Sequence, residues 1–285
     1  MNALSRARGR QATVALPAPD TVRPVTVPPV ASAAVSSTTD VLVALTRSDL
    51  KIRYGRGPLR RLKWLMDPIA ALGVYLALIA LVIDAEGEAA GLSVACAVVP
   101  FQLIMMTVVN ALRAVELRRS IVANMSFRRS LIPVSSALTE FVGFGATLLL
   151  IPVMMAVYLV APTPAVLLLP VMIAVCLALA IALAYPAALL GVWMPEVSPF
   201  AVSAVRTLFF LAPGLVALDE VYGHTHDVLK LNPVSGVFEG FRAVLLDGTA
   251  PAAWHVLVPL AWAAALLALF VPVYRREEKH FAKLI

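Results

Sequence analysis

The feature of the sequence that most limits its fold is a run of 55 residues, 141–195, without a single Asp, Glu, Lys, Arg or His. A helix that crosses a bilayer needs about 20 mostly apolar residues, because hydrocarbon offers the backbone no hydrogen-bond partners. The run is therefore too long for one span and has the length of two. Pro162 and Pro164 interrupt it and predict a tight turn between the two spans.

Similar apolar stretches occur in other parts of the chain, and the overall composition is also typical of a membrane protein. Apolar residues make up 61% of the chain and charged residues 14%, whereas soluble domains have roughly 45–50% and about 25%. This excludes a disordered chain, a disulfide scaffold and most soluble enzymes. We predict an all-α polytopic membrane protein, with a transmembrane domain over residues 64–275. Its six transmembrane helices are predicted at residues 64–83, 90–112, 132–160, 165–192, 200–218 and 252–273.

The distribution of basic residues predicts the orientation. Cytoplasmic loops of membrane proteins carry an excess of Lys and Arg. If the N-terminus is cytoplasmic, 21 of the 23 basic residues lie inside, and only Lys230 and Arg242 lie outside. Both termini are therefore predicted to be cytoplasmic, in a bacterial inner (plasma) membrane. The net charge of +6 is thus a topology signal, and we expect no nucleic-acid partner.

Three segments outside the spans have distinct compositions. Residues 1–38 contain five prolines and predict a disordered cytoplasmic tail. Residues 39–63 predict an amphipathic, basic helix in the membrane interface. Its charges either enforce topology and contact anionic membrane lipids, or form a cradle for an anionic substrate head group. Residues 276–285 predict a short cytoplasmic tail.

Two further segments predict short helices. The loop 113–129 carries apolar residues within a polar sequence, so it is either a plain interfacial loop or a segment that docks into a groove of a cytoplasmic protein. Between residues 231 and 248, Asn232 is a favourable N-cap, Pro233 suits the first turn and Gly248 suits the end. This predicts a short amphipathic helix at the outer surface. His224 and His226 have no diagnostic ligand spacing, and we predict no metal site.

Several kinds of chemistry are missing from the sequence. It contains no G-x-x-x-x-G-K-[ST], H-E-x-x-H or G-x-S-x-G motif, so we predict no ATP site and no catalytic residue in this chain. Few ionisable residues fall inside the spans, which argues against ion-coupled transport. Glu140 and Arg206 lie at similar predicted depth and can pair. Energy for transport would have to come from another subunit.

Three segments together resemble the ABC-2 type permeases, and among these the polysaccharide and O-antigen export permeases of the Wzm type. The resemblance covers about residues 40–275. The chain departs from the family pattern at Asp67, where Asn is usual, and at Arg128, where Pro often follows the Phe. The residues that carry the resemblance are Asp49, Leu50, Lys51, Arg53, Tyr54, Trp64 and Pro68, then Pro133, Ser135 and Ser136, then Asn232, Pro233, Gly236, Glu239, Phe241, Arg242 and Gly248.

The resemblance implies a permease that is not an enzyme. It implies a homodimer that assembles with two copies of a separate ATPase subunit, and ATP and Mg²⁺ would bind to that subunit. It also implies a cytoplasmic coupling helix, short outer re-entrant or gate helices, and export of a polysaccharide linked to polyprenyl pyrophosphate. Arg strongly outnumbers Lys in a chain rich in Ala and Val, which is typical of a high-GC genome and favours an actinobacterial cell-wall glycan such as a galactan. The alternatives are an ABC-2 permease for a small hydrophobic compound and a membrane enzyme that transfers sugars or prenyl groups.

Four groups of site residues follow. Arginine suits bidentate phosphate contacts, so the substrate head group is predicted to meet Arg53, Arg56, Arg60, Arg61 and Lys63. The resemblance places the coupling to the ATPase at Glu116, Arg118, Arg119, Asn124, Phe127 and Arg128. Aromatic residues predicted to line the pore are Phe101, Phe141, Phe144, Tyr158 and Phe209. The resemblance places the outer gate at Asn232, Pro233, Phe238, Phe241 and Arg242.

Overall fold

The structure is a computed structural model that describes residues 37–54, 66, 69–70, 73, 90–119, 127–214, 217–218, 224–278 and 281. The predicted tail over residues 1–38 and the predicted first span over residues 64–83 lie almost entirely outside these ranges. So do Arg56, Arg60, Arg61, Lys63 and Asn124.

Every regular element in the described ranges is helical. The helices are α1 (Thr38–Tyr54), α2 (Ala90–Leu117), α3 (Leu131–Leu148), α4 (Leu150–Val157), α5 (Leu169–Trp193), α6 (Ser198–Leu211), α7 (His224–Lys230), α8 (Pro233–Leu245) and α9 (Ala253–Glu277). Two single 3₁₀ turns, Pro164–Leu168 and Pro195–Val197, precede α5 and α6.

Four helical segments of the described chain are long and apolar enough to cross a membrane. They are Gly91–Leu117, Leu131–Val157, Pro164–Trp193 and Ala253–Glu277, and they coincide with the predicted second, third, fourth and sixth spans. The all-helical, membrane-crossing architecture is therefore confirmed for the described residues. Helix α6 has 14 residues, fewer than the about 20 that a full crossing needs. The count of six spans stays a prediction.

The helices define two ends of the bundle. At the basic end, α2 ends, α3 begins and α9 ends, so Arg113, Arg118, Arg275 and Arg276 gather there. At the opposite end, α2, α5 and α9 begin. Helix α2 is the central element, because 78% of its most apolar window is buried, against 11% for α9. Apolar side chains of α2, α3, α4, α5 and α8 form the largest cluster of the core among the described residues.

Helix α8 lies inside the bundle, in the segment where the sequence predicts a short outer helix. Asn232 caps it by accepting a hydrogen bond of 3.0 Å from the Val234 N–H. Gly236 faces Pro259 and Gly240 faces His255, so α8 runs antiparallel to the first part of α9. At the base of α8, the Trp262 indole donates to the Leu231 carbonyl at 3.0 Å. Helix α9 begins at the end of the bundle opposite to the basic end, and Trp262 lies about 14 Å along it. Helix α8 therefore begins inside the bundle, at the depth of Trp262, and runs towards the end at which α9 begins.

Candidate functional site

A cluster of charged and polar side chains lies at the basic end, between α1, α2 and α3. Helix α1 contributes Asp49 and Arg53, which are four residues apart and therefore share one face of the helix. The members of the cluster on the other two helices are Asn110, Arg118, Ser136, Thr139 and Glu140. The cluster contains two ion pairs.

The first ion pair joins Arg118 to Asp49. The Arg118 Nη2 donates to Asp49 Oδ2, while its Nη1 donates to the Ala114 carbonyl at 3.0 Å and to Ser136 Oγ at 3.3 Å. Thr139 Oγ1 also donates to Asp49, at 3.3 Å. Burial raises the pKa of the Asp49 carboxyl, and the positive charge of Arg118 acts against this effect. The pair ties α1 to the residue directly after α2, which continues to Leu117 and so extends five residues into the predicted loop 113–129.

The second ion pair joins Arg53 to Glu140. Arg53 Nη1 and Asn110 Nδ2 both donate to Glu140 Oε1, and Glu140 is 4% exposed. Glu140 therefore pairs with Arg53 and not with Arg206, because α1 packs along α3 and brings Arg53 over the carboxylate. Arg53 is the one predicted head-group residue in the described ranges, and an internal carboxylate already balances its charge.

A cavity of about 320 Å³ opens between the two ion pairs. Both pairs line it, together with Asn110 and the apolar side chains of Met106, Val109 and Leu117. Met106 lies within α2 and Arg118 directly after its end, and both line the cavity. It therefore offers both a polar and an apolar wall.

The predicted coupling residues divide into two groups. Glu116, Arg119 and Arg128 are exposed at the basic end, where a partner can reach them. Arg118 is 5% exposed and turned into the bundle, and Phe127 packs against the apolar cluster at this end.

Other groups hold the end of the same loop in place. The Arg129 guanidinium donates to the Glu278 carbonyl, and the Ser130 N–H donates to Glu278 Oε2 at 3.0 Å. Tyr185 Oη donates to the Ser130 carbonyl at 3.0 Å. The end of α9 and the middle of α5 therefore fix where the loop 113–129 meets α3.

The predicted pore aromatics pack within the single chain. Phe101 and Phe209 have ring centroids 5.0 Å apart, and Phe238 lies 6.2 Å and 5.7 Å from them. Phe144 is also buried, while Phe141 and Tyr158 are half-buried. Contact with a transported glycan stays a prediction for all five pore residues.

The predicted gate residues lie in and around α8, and Arg242 is the best connected of them. Phe238 and Phe241 are fully buried, and Asn232 and Pro233 form the start of the helix. The Arg242 side chain, 2% exposed, donates to Glu239 Oε1 at 2.6 Å and to the Pro213 carbonyl at 2.7 Å. It also donates to Ser93 Oγ at 3.0 Å and to the Gly214 carbonyl at 3.2 Å. One buried guanidinium thus joins α8, the start of α2 and the segment that follows α6.

Sequence reasoning did not place Asp49, Asn110, Ser136 and Thr139 in a site. The spacing of Asp49 and Arg53 on one helix face was an available signal for a shared contact. No such signal in the sequence indicated their partners. Arg118 is 69 residues from Asp49, and Glu140 is 87 residues from Arg53.

Comparison with known proteins identifies relatives. The O-antigen export system permease protein RfbA of Myxococcus xanthus is 23% identical over 248 residues, which are 86% of this chain and 95% of that protein. The protein of the same name from Klebsiella pneumoniae is 23% identical over 211 residues, 74% of this chain and 82% of that protein. The chain is similar to O-antigen export permeases over most of its length.

No protein-family model matches the chain. The similarity to the export permeases nevertheless agrees with the resemblance seen in the sequence motifs, and that prediction is confirmed. Together with the four apolar helices, it shows a multi-pass inner-membrane protein.

The Asp49–Arg118 pair leads to a test by a double-mutant cycle. We expect Asp49→Ala and Arg118→Ala to be non-additive by about 0.5–3 kcal/mol, because the two side chains share one buried interaction. The measurement is thermal unfolding of the detergent-solubilised protein. The matched cycle pairs Asp49→Ala with Arg119→Ala. Because the Arg119 side chain is exposed, the effects of these two substitutions on stability should be additive. Additivity in both cycles would show that the ion pair contributes nothing to the fold.

Proposed function

We propose that this protein is the permease subunit of an ATP-driven ABC exporter that moves a polysaccharide linked to polyprenyl pyrophosphate from the cytoplasmic to the outer side of the inner membrane. The observation that carries the proposal is the similarity to two permeases named for O-antigen export, over 74% and 86% of this chain. The four apolar helices fit a protein that works inside the bilayer.

The orientation in this proposal follows from charge. The basic end collects most of the Lys and Arg residues of the described loops and helix termini, and such residues favour the cytoplasmic side. The loop 113–129 then faces the cytoplasm, with Glu116, Arg119 and Arg128 exposed. The charge distribution of the sequence predicts both chain termini on that side as well.

A separate ATPase subunit would supply the energy. The 285 residues contain no P-loop motif, so ATP and Mg²⁺ would bind to the partner, and this chain would carry no catalytic residue. The exposed charges of the loop 113–129 form the surface on which the partner docks. In the proposed assembly two copies of this chain form a homodimer with two ATPase subunits.

The proposed substrate is a cell-wall glycan, and a galactan fits the high-GC character of the sequence. The test is depletion of the protein in its host, followed by feeding with radiolabelled galactose and extraction of polyprenyl-linked polymer. We expect full-length lipid-linked polymer to accumulate on the inside, because synthesis continues while export stops. Re-expression of the wild-type chain should restore export.

Two other results would count against the proposal. Normal export after depletion would favour a permease for a small hydrophobic compound. An arrest of polymer synthesis, with purified protein that transfers sugar in the absence of any ATPase, would favour a membrane enzyme.

A further inference from the structure

The described residues that line the cavity at the basic end are charge-balanced. Two cations, Arg53 and Arg118, and two anions, Glu140 and Asp49, line it, and each cation already forms an ion pair with one anion. A phosphate group that entered would gain two arginines but would also lie beside two carboxylates. Like charges at short range destabilise each other, so the described part of the lining has no net preference for an anion.

Unused hydrogen-bonding capacity remains on these side chains. The Arg53 and Asn110 donors both reach Glu140 Oε1, which leaves the lone pairs of Oε2. Asn110 retains a second amide N–H and its carbonyl oxygen. Among the described residues, the Nε–H of the buried Arg118 has no acceptor. The lining therefore presents both donors and acceptors to an occupant without breaking either ion pair.

The chemistry of such an occupant is restricted. It must both donate and accept hydrogen bonds, carry no net charge, and fit a cavity of about 320 Å³, which is at the lower end of small-molecule sites. A zwitterionic phospholipid head group also has no net charge and is the competing occupant. Neutral hydroxyl groups need only the unused positions. Met106, Val109 and Leu117 would contact the apolar face of a sugar ring.

We infer that this cavity binds a neutral sugar of the exported glycan, the residue nearest the lipid carrier, and that it does not bind the pyrophosphate. The inference rests on the proposed function, since it assigns one part of the proposed substrate to one site. Glu140, Asn110 and Arg118 are the residues that contact the sugar hydroxyl groups. The pyrophosphate then lies outside this cavity.

The experiment compares two probes on the purified full-length protein in lipid nanodiscs. One is a short-chain prenyl pyrophosphate that carries a single hexose, and the other is the same prenyl pyrophosphate without the sugar. We expect the sugar-bearing probe to bind roughly tenfold more tightly in equilibrium titrations, as one or two hydrogen bonds to charged groups would give. Equal affinities would overturn the inference and leave the proposed function standing. Failure of both probes to bind would count against the proposed substrate itself.

A pair of variants locates the effect. Asn110→Leu removes the amide while nearly keeping its size, and should narrow the difference in affinity between the two probes, since Glu140 and Arg118 would still contact the sugar. The affinity for the bare probe should not change. Gln102→Leu removes an amide from the same helix about two turns away, outside the cavity lining, and should keep the tenfold difference. If Asn110→Leu keeps it as well, or if phosphatidylethanolamine competes with the sugar-bearing probe, the sugar does not bind here.

Discussion

Replacement of Arg242 by methionine is expected to lower the free energy of unfolding by about 3–5 kcal/mol, the usual cost of removing one partner from a buried ion pair. Methionine keeps the unbranched apolar part of the side chain, but it removes every donor of the guanidinium. Glu239 would stay buried and would still accept from the Leu218 N–H, but it would lose the guanidinium. The Pro213 and Gly214 carbonyls would lose their donors as well.

The unfolding measurement has a matched control. Arg276 is exposed in the last turn of α9, so Arg276→Met removes the same groups from a solvated position and should change the midpoint little. For Arg242→Met we expect a fall in the thermal midpoint on the order of 10 °C in detergent. Similar midpoints for the two variants would mean that the guanidinium does not hold α8 in the folded protein.

The loss of Arg242 should also affect transport. The side chain joins α8 to the end of the α6 segment, and α6 starts at the basic end, where the ATPase is proposed to dock. If movement of α6 reaches α8 through this link, a variant that still folds at low temperature should hydrolyse ATP with its partner but export little glycan. Equal losses of hydrolysis and export would indicate a purely structural role.

The spans were predictable from the sequence because hydrocarbon imposes a simple rule. Runs of about 20 residues without charge cannot be accommodated elsewhere, and four of the predicted spans coincide with long apolar helices of the described chain. The turn near Pro162 and Pro164 followed from the backbone restrictions of proline. The N-cap at Asn232 was also predictable, since the residues that form a cap are adjacent in the sequence.

The polar site was much less predictable, because its partners are far apart in the chain. Hydropathy gave Glu140 and Arg206 similar depths, but depth does not specify the rotation of a helix. The packing of α1 along α3 selected Arg53 as the partner of Glu140. Likewise, the resemblance placed Arg118 among the residues that couple to the ATPase. The approach of Asp49 explains why its side chain is buried instead. Charge counting identified the basic end, and three-dimensional packing decided which charges face inwards.

The same packing depends on the absence of one side chain. Gly191, near the end of α5, lies so close to α2 that a Cβ added there would be 1.7 Å from the Leu112 carbonyl oxygen and 2.6 Å from the carbonyl carbon. Small residues allow such close approach between membrane helices. The atoms in the way belong to a backbone and cannot rotate aside. We therefore expect Gly191→Ala to cost at least the about 1–3 kcal/mol typical of overpacking.

The control for this substitution is the same change in open space. A Cβ added at Gly145 would meet nothing within 4 Å, and alanine is favoured over glycine in a helix by about 1 kcal/mol. Gly145→Ala should therefore leave the thermal midpoint unchanged or raise it, whereas Gly191→Ala should lower it. Leu112 is two residues from Asn110, so displacement of α2 should also disturb the cavity. If the two variants unfold alike, α2 and α5 are further apart than this contact requires.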